Sequence, residues 1–164
     1  MPESLEDQIG PLLRARGLRI ATAESCTGGL IAHRITNVPG SSDYFLGGVV
    51  AYAYEAKVAQ LGVSWDTLRA YGAVSAETAL EMARGVRALL GADIGISVTG
   101  IAGPAGGLPE KPVGTTWLGL CIPGGEAARR FIWQGDRLSN KEQSAQAALQ
   151  WVLDYLLGSD DLSR

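Results

Sequence analysis

The spacing of apolar residues changes several times along the chain, and each change marks an element. Leu5, Ile9, Leu12 and Leu13 recur at helical spacing and Gly17 supplies a stop, so residues 2–16 are predicted to form a helix. From Leu18 the run Leu-Arg-Ile-Ala-Thr-Ala reads as a short strand. Glu24-Ser-Cys-Thr-Gly-Gly then turns the chain into a helix-compatible stretch, Leu30 to Ile35. Turn residues crowd positions 37–43, and the aromatic, β-branched run 44–54 predicts a second strand with Tyr52 and Tyr54 on one face, followed by a short helix near 55–61. Helices are expected at 65–71 and 76–90, the second capped by Ser75 and presenting Ala79, Ala83, Val86 and Leu90 on one side. Residues 92–99 read as a buried central strand, and residues 100–112 hold too much Gly and Pro for regular structure. A hairpin is predicted from 113–122 and 127–133 around the turn Pro123-Gly-Gly-Glu. The last helix is expected to start at Ser139, with Glu142 completing a capping box, and to turn Leu149, Val152, Tyr155 and Leu156 inward before a frayed tail after Gly158. Strands alternating with helices, then a hairpin and a closing helix, predict the α/β class: a three-layer α/β/α sandwich with a mixed, mostly parallel sheet.

At 164 residues, the chain is expected to be a single domain spanning 1–164. An apolar fraction of 46% against 19% charged residues is enough to bury a core. The net charge of −3 and pI near 5.1 argue against a phosphate-binding basic surface, so no direct nucleic-acid partner is expected. Cys26 and Cys121 stand far apart beside a single histidine, His33, so no metal and no cofactor are expected. The acidic start and the shortness of the charge-free stretch 44–54 predict a cytoplasmic protein without a membrane partner. Homo-oligomers are common, and a symmetric dimer is the default expectation.

Candidate chemistry gathers at a few places. Ser25 stands where a strand hands over to a helix, and Gly28 and Gly29 open the backbone there to another group. Such a turn caps a helix, or holds an anion or oxyanion while the serine acts as nucleophile. His33 lies eight residues beyond Ser25 on the predicted helix. That is roughly 12 Å along its axis, too far for a base, so His33 is read as a surface residue. The remaining base is a lysine. Of Lys57, Lys111 and Lys141, Lys57 follows an apolar strand, where desolvation would lower its pKa; a solvated lysine at a helix start is the competing reading. Thr99-Gly-Ile-Ala-Gly-Pro fits neither common phosphate-loop pattern, yet a glycine loop leaving a central strand is where open α/β sheets place ligands.

Taken in order, Ala23-Glu-Ser-Cys-Thr-Gly-Gly, Pro39-Gly-Ser-Ser, Tyr52-Ala-Tyr-Glu-Ala-Lys, Gly72-Ala-Val-Ser, Ser97-Val-Thr-Gly-Ile-Ala-Gly-Pro, Lys111-Pro-Val-Gly-Thr and Gly135-Asp-Arg resemble the CinA C-terminal domain family over most of the chain. The enzymatic members of that family are nicotinamide-nucleotide amidohydrolases. The resemblance implies a Ser-Lys amidohydrolase that converts nicotinamide mononucleotide to nicotinic acid mononucleotide and ammonia, in pyridine-nucleotide salvage. It implies Ser25 as nucleophile, Lys57 as base and Tyr52 as a supporting hydroxyl, with the amides around Cys26, Thr27, Gly28 and Gly29 as oxyanion hole. It further implies that the loop through Thr99, Gly100 and Gly103, with Ser41 and Ser42, holds ribose and phosphate, and that Thr115 and Arg137 bind substrate. The family commonly has a small polar residue such as Asn where this chain has Tyr54, which alters the pocket wall. A catalytically silent nucleotide-binding or partner-docking module in a competence or DNA-damage response is the alternative expectation.

Overall fold

The computed structural model describes residues 2–160 and 162. Its elements run α1 (Leu5–Arg16), β1 (Ile20–Glu24), α2 (Leu30–Thr36), β2 (Phe45–Val50), α3 (Tyr54–Leu61), α4 (Trp65–Tyr71), α5 (Ala76–Leu90), β3 (Ile94–Gly100), β4 (Thr115–Ile122), β5 (Gly125–Ile132) and α6 (Arg137–Leu156). The strands form one sheet in the order β2-β1-β3-β4-β5. β1 pairs in parallel with β2 and β3, while β4 is antiparallel to both β3 and β5. Four strands therefore share one direction and β4 opposes them, so the mixed sheet has two parallel and two antiparallel pairings.

Alternation along the strands makes the two faces unlike each other. Ile20, Ile94, Ile96, Val98, Leu118 and Leu120 point one way, into a core completed by Ile9 and Leu13 of α1, Ile31 and Ile35 of α2, and Leu149, Trp151 and Val152 of α6. The opposite face is built of small residues, Ala21 and Ala23 among them, under Leu61 of α3, Leu68 of α4, and Met82 and Val86 of α5. Smallness there lets α5 lie almost on the strands. A Cβ at Gly95 would stand 2.3 Å from the Ala83 carbonyl oxygen, and one at Gly119 would stand 2.3 Å from that of Ala79. Ser97 Oγ donates to the same Ala79 oxygen at 2.6 Å, satisfying a buried hydroxyl.

Several boundaries differ from the sequence expectation. α1 starts at Leu5, because Ser4 accepts from the Asp7 N–H at 3.2 Å and the Asp7 carboxylate reaches back to the Ser4 N–H. β2 stops at Val50, so Tyr52 lies in a loop and Tyr54 opens α3 instead of extending the strand. The hairpin turn is Pro123-Gly124 alone, since β5 already begins at Gly125. α6 starts at Arg137 with Asp136 as cap, its carboxylate accepting from the Ser139 N–H at 2.8 Å. Ser139 is inside the helix, and the carboxylate of Asp136 takes the role expected of its hydroxyl.

Candidate active site

β1 ends at Glu24, whose side chain shares the α2 face of the sheet, and a buried carboxylate there needs donors. Three are supplied: Thr27 Oγ1 at 2.6 Å, the Ile31 N–H at 2.9 Å and the Ala32 N–H at 3.0 Å. Glu24 thus fastens the start of α2 to the end of β1. Sequence reasoning passed over this residue, although an acidic side chain just ahead of a helix is the available signal. Its consequence is that the first α2 amides are occupied. The free N–H groups at this turn belong to Cys26, Thr27 and Gly29, which have no protein acceptor among the described residues. Gly28 and Gly29 have φ of 62° and 104°, the left-handed backbone this tight turn requires.

Ser25, 7% exposed, is held by its N–H on the Val98 carbonyl of β3 at 3.0 Å. Lys57 reaches it from the first turn of α3. Its Nζ lies 3.0 Å from Ser25 Oγ, 2.9 Å from the Ala51 carbonyl oxygen and 3.4 Å from that of Tyr52. The residue is 1% exposed, and burial pushes the lysine below its ordinary pKa of 10.5. A neutral amine has two N–H groups and one lone pair, which match two carbonyls and one hydroxyl. In that state Lys57 accepts from Ser25. Cys26, next to the serine, is buried and its thiol is pushed up to about 12 by burial, so it stays protonated at neutral pH.

Above this pair, Arg137 from the start of α6 donates to Tyr52 Oη at 2.9 Å and to the Gly103 carbonyl at 2.7 Å. The contact ties the loop after β2 to the loop after β3. Tyr52 is 62% exposed; its backbone carbonyl meets Lys57, while its hydroxyl accepts from Arg137. Tyr54 is half-exposed at the first position of α3.

Thr99 and Gly100 lie at the same sheet end as Ser25, but Thr99 Oγ1 is already given to the Ala73 carbonyl at 2.8 Å. Gly100 backs onto Cys26, where a Cβ would stand 3.1 Å from Sγ. Thr115 is buried with its hydroxyl on the Pro112 carbonyl at 2.6 Å. Ser41 and Ser42 are not brought to the pair within the chain. They precede β2, whose start pairs with the start of β1, whereas Ser25 and Lys57 follow the opposite ends of those strands. Six residues of strand separate the two places, about 20 Å at ~3.3 Å each. His33 is exposed on α2, as its spacing from Ser25 implied.

The turn after Ser25 lines a cavity of about 400 Å³ shared by Thr27, Gly28, Gly29, His33, Lys141 and Glu142. A larger one, about 760 Å³, lies away from the serine between α2 and α6, with Arg34, Trp133 and Gln146 in its wall. Among the described residues no His, Cys, Asp and Glu cluster could hold a metal ion, and no helix is long and apolar enough to cross a membrane.

A family model described as the CinA C-terminal domain matches residues 2–156. CinA-like proteins of Chloroherpeton thalassium and Kosmotoga olearia are 55% and 53% identical, each over 94% of this chain. The chain spans 38% of the length of each of those relatives. Two solved structures are nearly coextensive with it. One, the competence damage-inducible protein A of Klebsiella pneumoniae, is 36% identical at a TM-score of 0.91 and covers 95% of this chain and 97% of its own. The other, the competence/damage inducible protein CihA of Agrobacterium tumefaciens, is 38% identical at a TM-score of 0.88 and covers 96% and 98%. Fold, motifs and sequence identity agree: the chain belongs to the CinA C-terminal domain family.

Proposed function

We propose that this protein is a Ser-Lys amidohydrolase acting on the nicotinamide amide of nicotinamide mononucleotide. The observation that carries the reaction class is the 3.0 Å contact between Lys57 Nζ and Ser25 Oγ, in a place where burial lowers the pKa of the amine. The substrate rests on the likeness of the chain's motifs to the amidohydrolases of the family.

Neutral Lys57 takes the Ser25 proton as Oγ bonds to the amide carbon, and the carbonyl oxygen becomes an oxyanion facing the free amides of Cys26, Thr27 and Gly29. The Lys57 ammonium gives that proton to the amide nitrogen. The C–N bond breaks, ammonia leaves, and nicotinate remains as an ester on Ser25. Water then adds to the ester while Lys57 takes its proton, the C–Oγ bond breaks, and Lys57 returns the proton to Ser25. Arg137, by holding Tyr52, keeps the loop that supplies both carbonyl partners of Lys57 in register.

The test is ammonia release from nicotinamide mononucleotide without added metal. Ser25→Ala and Lys57→Ala are each expected to lower it by about a thousandfold or more, on the scale of losing a nucleophile or its base, with circular dichroism unchanged. If Lys57→Ala keeps most of the activity, the base is another group. A folded wild-type protein that releases no ammonia would favour a silent binding module.

A further inference from the structure

We propose that Glu24 is a positioning residue for the reaction, its buried carboxylate holding the turn after β1 so that the amides of Cys26, Thr27 and Gly29 stand ready for the oxyanion. This rests on the amidohydrolase reading above and adds to it the side chain that keeps those donors fixed.

The backbone of the turn has little of its own to hold it. Gly28 and Gly29 carry no side chain and lie in the left-handed region, and glycine loses more conformational freedom on ordering than any other residue. The bonds that close the turn from within are local ones, from the Gly28 N–H to the Ser25 carbonyl at 3.0 Å and from the Leu30 N–H to the Thr27 carbonyl at 3.2 Å. Ser25 itself is anchored by Val98 and Lys57. Among the described residues, the hydrogen bonds that tie positions 26–32 back to β1 are those of the Glu24 carboxylate.

Glu24 is well placed to transmit the rigidity of the strand. Its backbone pairs across the sheet with Val50 of β2 and Val98 of β3. It grips Thr27 by the hydroxyl, which leaves the Thr27 N–H free, and it takes the Ile31 and Ala32 N–H groups beyond the glycines. The turn is thereby pinned on both sides of Gly28 and Gly29. The number of donors explains the residue type: two oxygens that only accept can satisfy all three, whereas a glutamine amide would aim an N–H at one of them. At 1% exposure, no solvent stands by to replace a lost partner. Oxyanion donors act on charge that develops in the transition state, and a misplacement of about 1 Å costs on the order of a hundredfold. A looser turn therefore lowers kcat and leaves substrate binding nearly unchanged.

The test measures ammonia release from nicotinamide mononucleotide across pH for the wild type, Glu24→Gln, Thr27→Val and Thr27→Ser. Glu24→Gln is expected to lower kcat about 10–100-fold while KM changes less than about threefold. Thr27→Val removes the hydroxyl and keeps the amide; it should lose about tenfold in kcat, and Thr27→Ser should regain most of that. The acid limb of the pH profile belongs to Lys57 and is expected to stay in place throughout. Unchanged kcat in both Glu24→Gln and Thr27→Val, a loss expressed mainly in KM, or an acid limb that moves with the substitution overturns the proposal. Should Glu24→Gln not fold, the two Thr27 variants decide. A wild type that releases no ammonia overturns the amidohydrolase reading and this proposal with it, whereas an active wild type with indifferent variants overturns the proposal alone.

Discussion

Lys57 is the residue in which position and protonation are most closely linked. Its folded pKa lies below the ordinary 10.5 because burial disfavours the ammonium. Below that depressed pKa the lone pair is lost, so ammonia release is expected to decline as pH falls through it, with a single ionisation governing the acid limb. Stability follows the same group. Between the folded and the unfolded pKa the unfolded chain holds the extra proton, so stability rises with pH across that window. Urea midpoints of the wild type and Lys57→Met, taken from about pH 6 to about pH 10, should therefore diverge in the wild type's favour as pH rises. A constant difference would mean that Lys57 is charged in the folded state. At this scale the sequence revealed the serine and the lysine as residue types in plausible places. It did not reveal Glu24 or the cap at Asp136, because a carboxylate beside turn residues looks the same whether it binds the backbone or water.

At the level of elements, the layer of small side chains between the sheet and α5 decides how near the helix can come. Gly119 meets the Ala79 carbonyl, which belongs to a rigid helix and cannot swing aside like a side-chain tip. Gly119→Ala is expected to cost about 1–3 kcal/mol, read from urea unfolding, whereas Gly124→Ala in the hairpin turn is strained by its φ of 82° but meets no atom within 4 Å. The stop at Gly17 and the start at Ser75 were legible because both residues act locally, whereas the starts of α1 and α6 were displaced by caps at Ser4 and Asp136. The end of β2 was not. Tyr52 and Tyr54 continue an alternating pattern that a strand would welcome, but the chain leaves the sheet after Val50 and turns back so that the Ala51 and Tyr52 carbonyls can face Lys57.

For the whole molecule, the order of strands matters more than any one of them. Parallel pairing of β1 with β2 puts the residues after Glu24 and those after Val50 at one edge of the sheet, and so assembles a pair 32 positions apart in sequence. The alternation of strands and helices in the sequence implied the layers and the fold class. It carried no information on which loops share an end; Ser41 and Ser42, which the resemblance alone grouped with the substrate site, are held apart from Ser25 by the length of β2. The substrate proposed above rests on likeness to a family alone, since no spacing of residues encodes a nicotinamide ring.

β2 is also one of the two edge strands, bonded on one side only and carrying Gly47 and Gly48. Its partner β1 is enclosed between two neighbours. The two halves of the reactive pair consequently hang from parts of the sheet with different lifetimes. The amide hydrogens of β2 should exchange with solvent sooner than those of β1 and β3, and each opening would withdraw the carbonyls that hold the lysine while leaving the serine where it is. Ammonia release should then fail at lower urea than the tryptophan fluorescence of the core, the loss of function reporting on the rim of the sheet and the fluorescence on its centre.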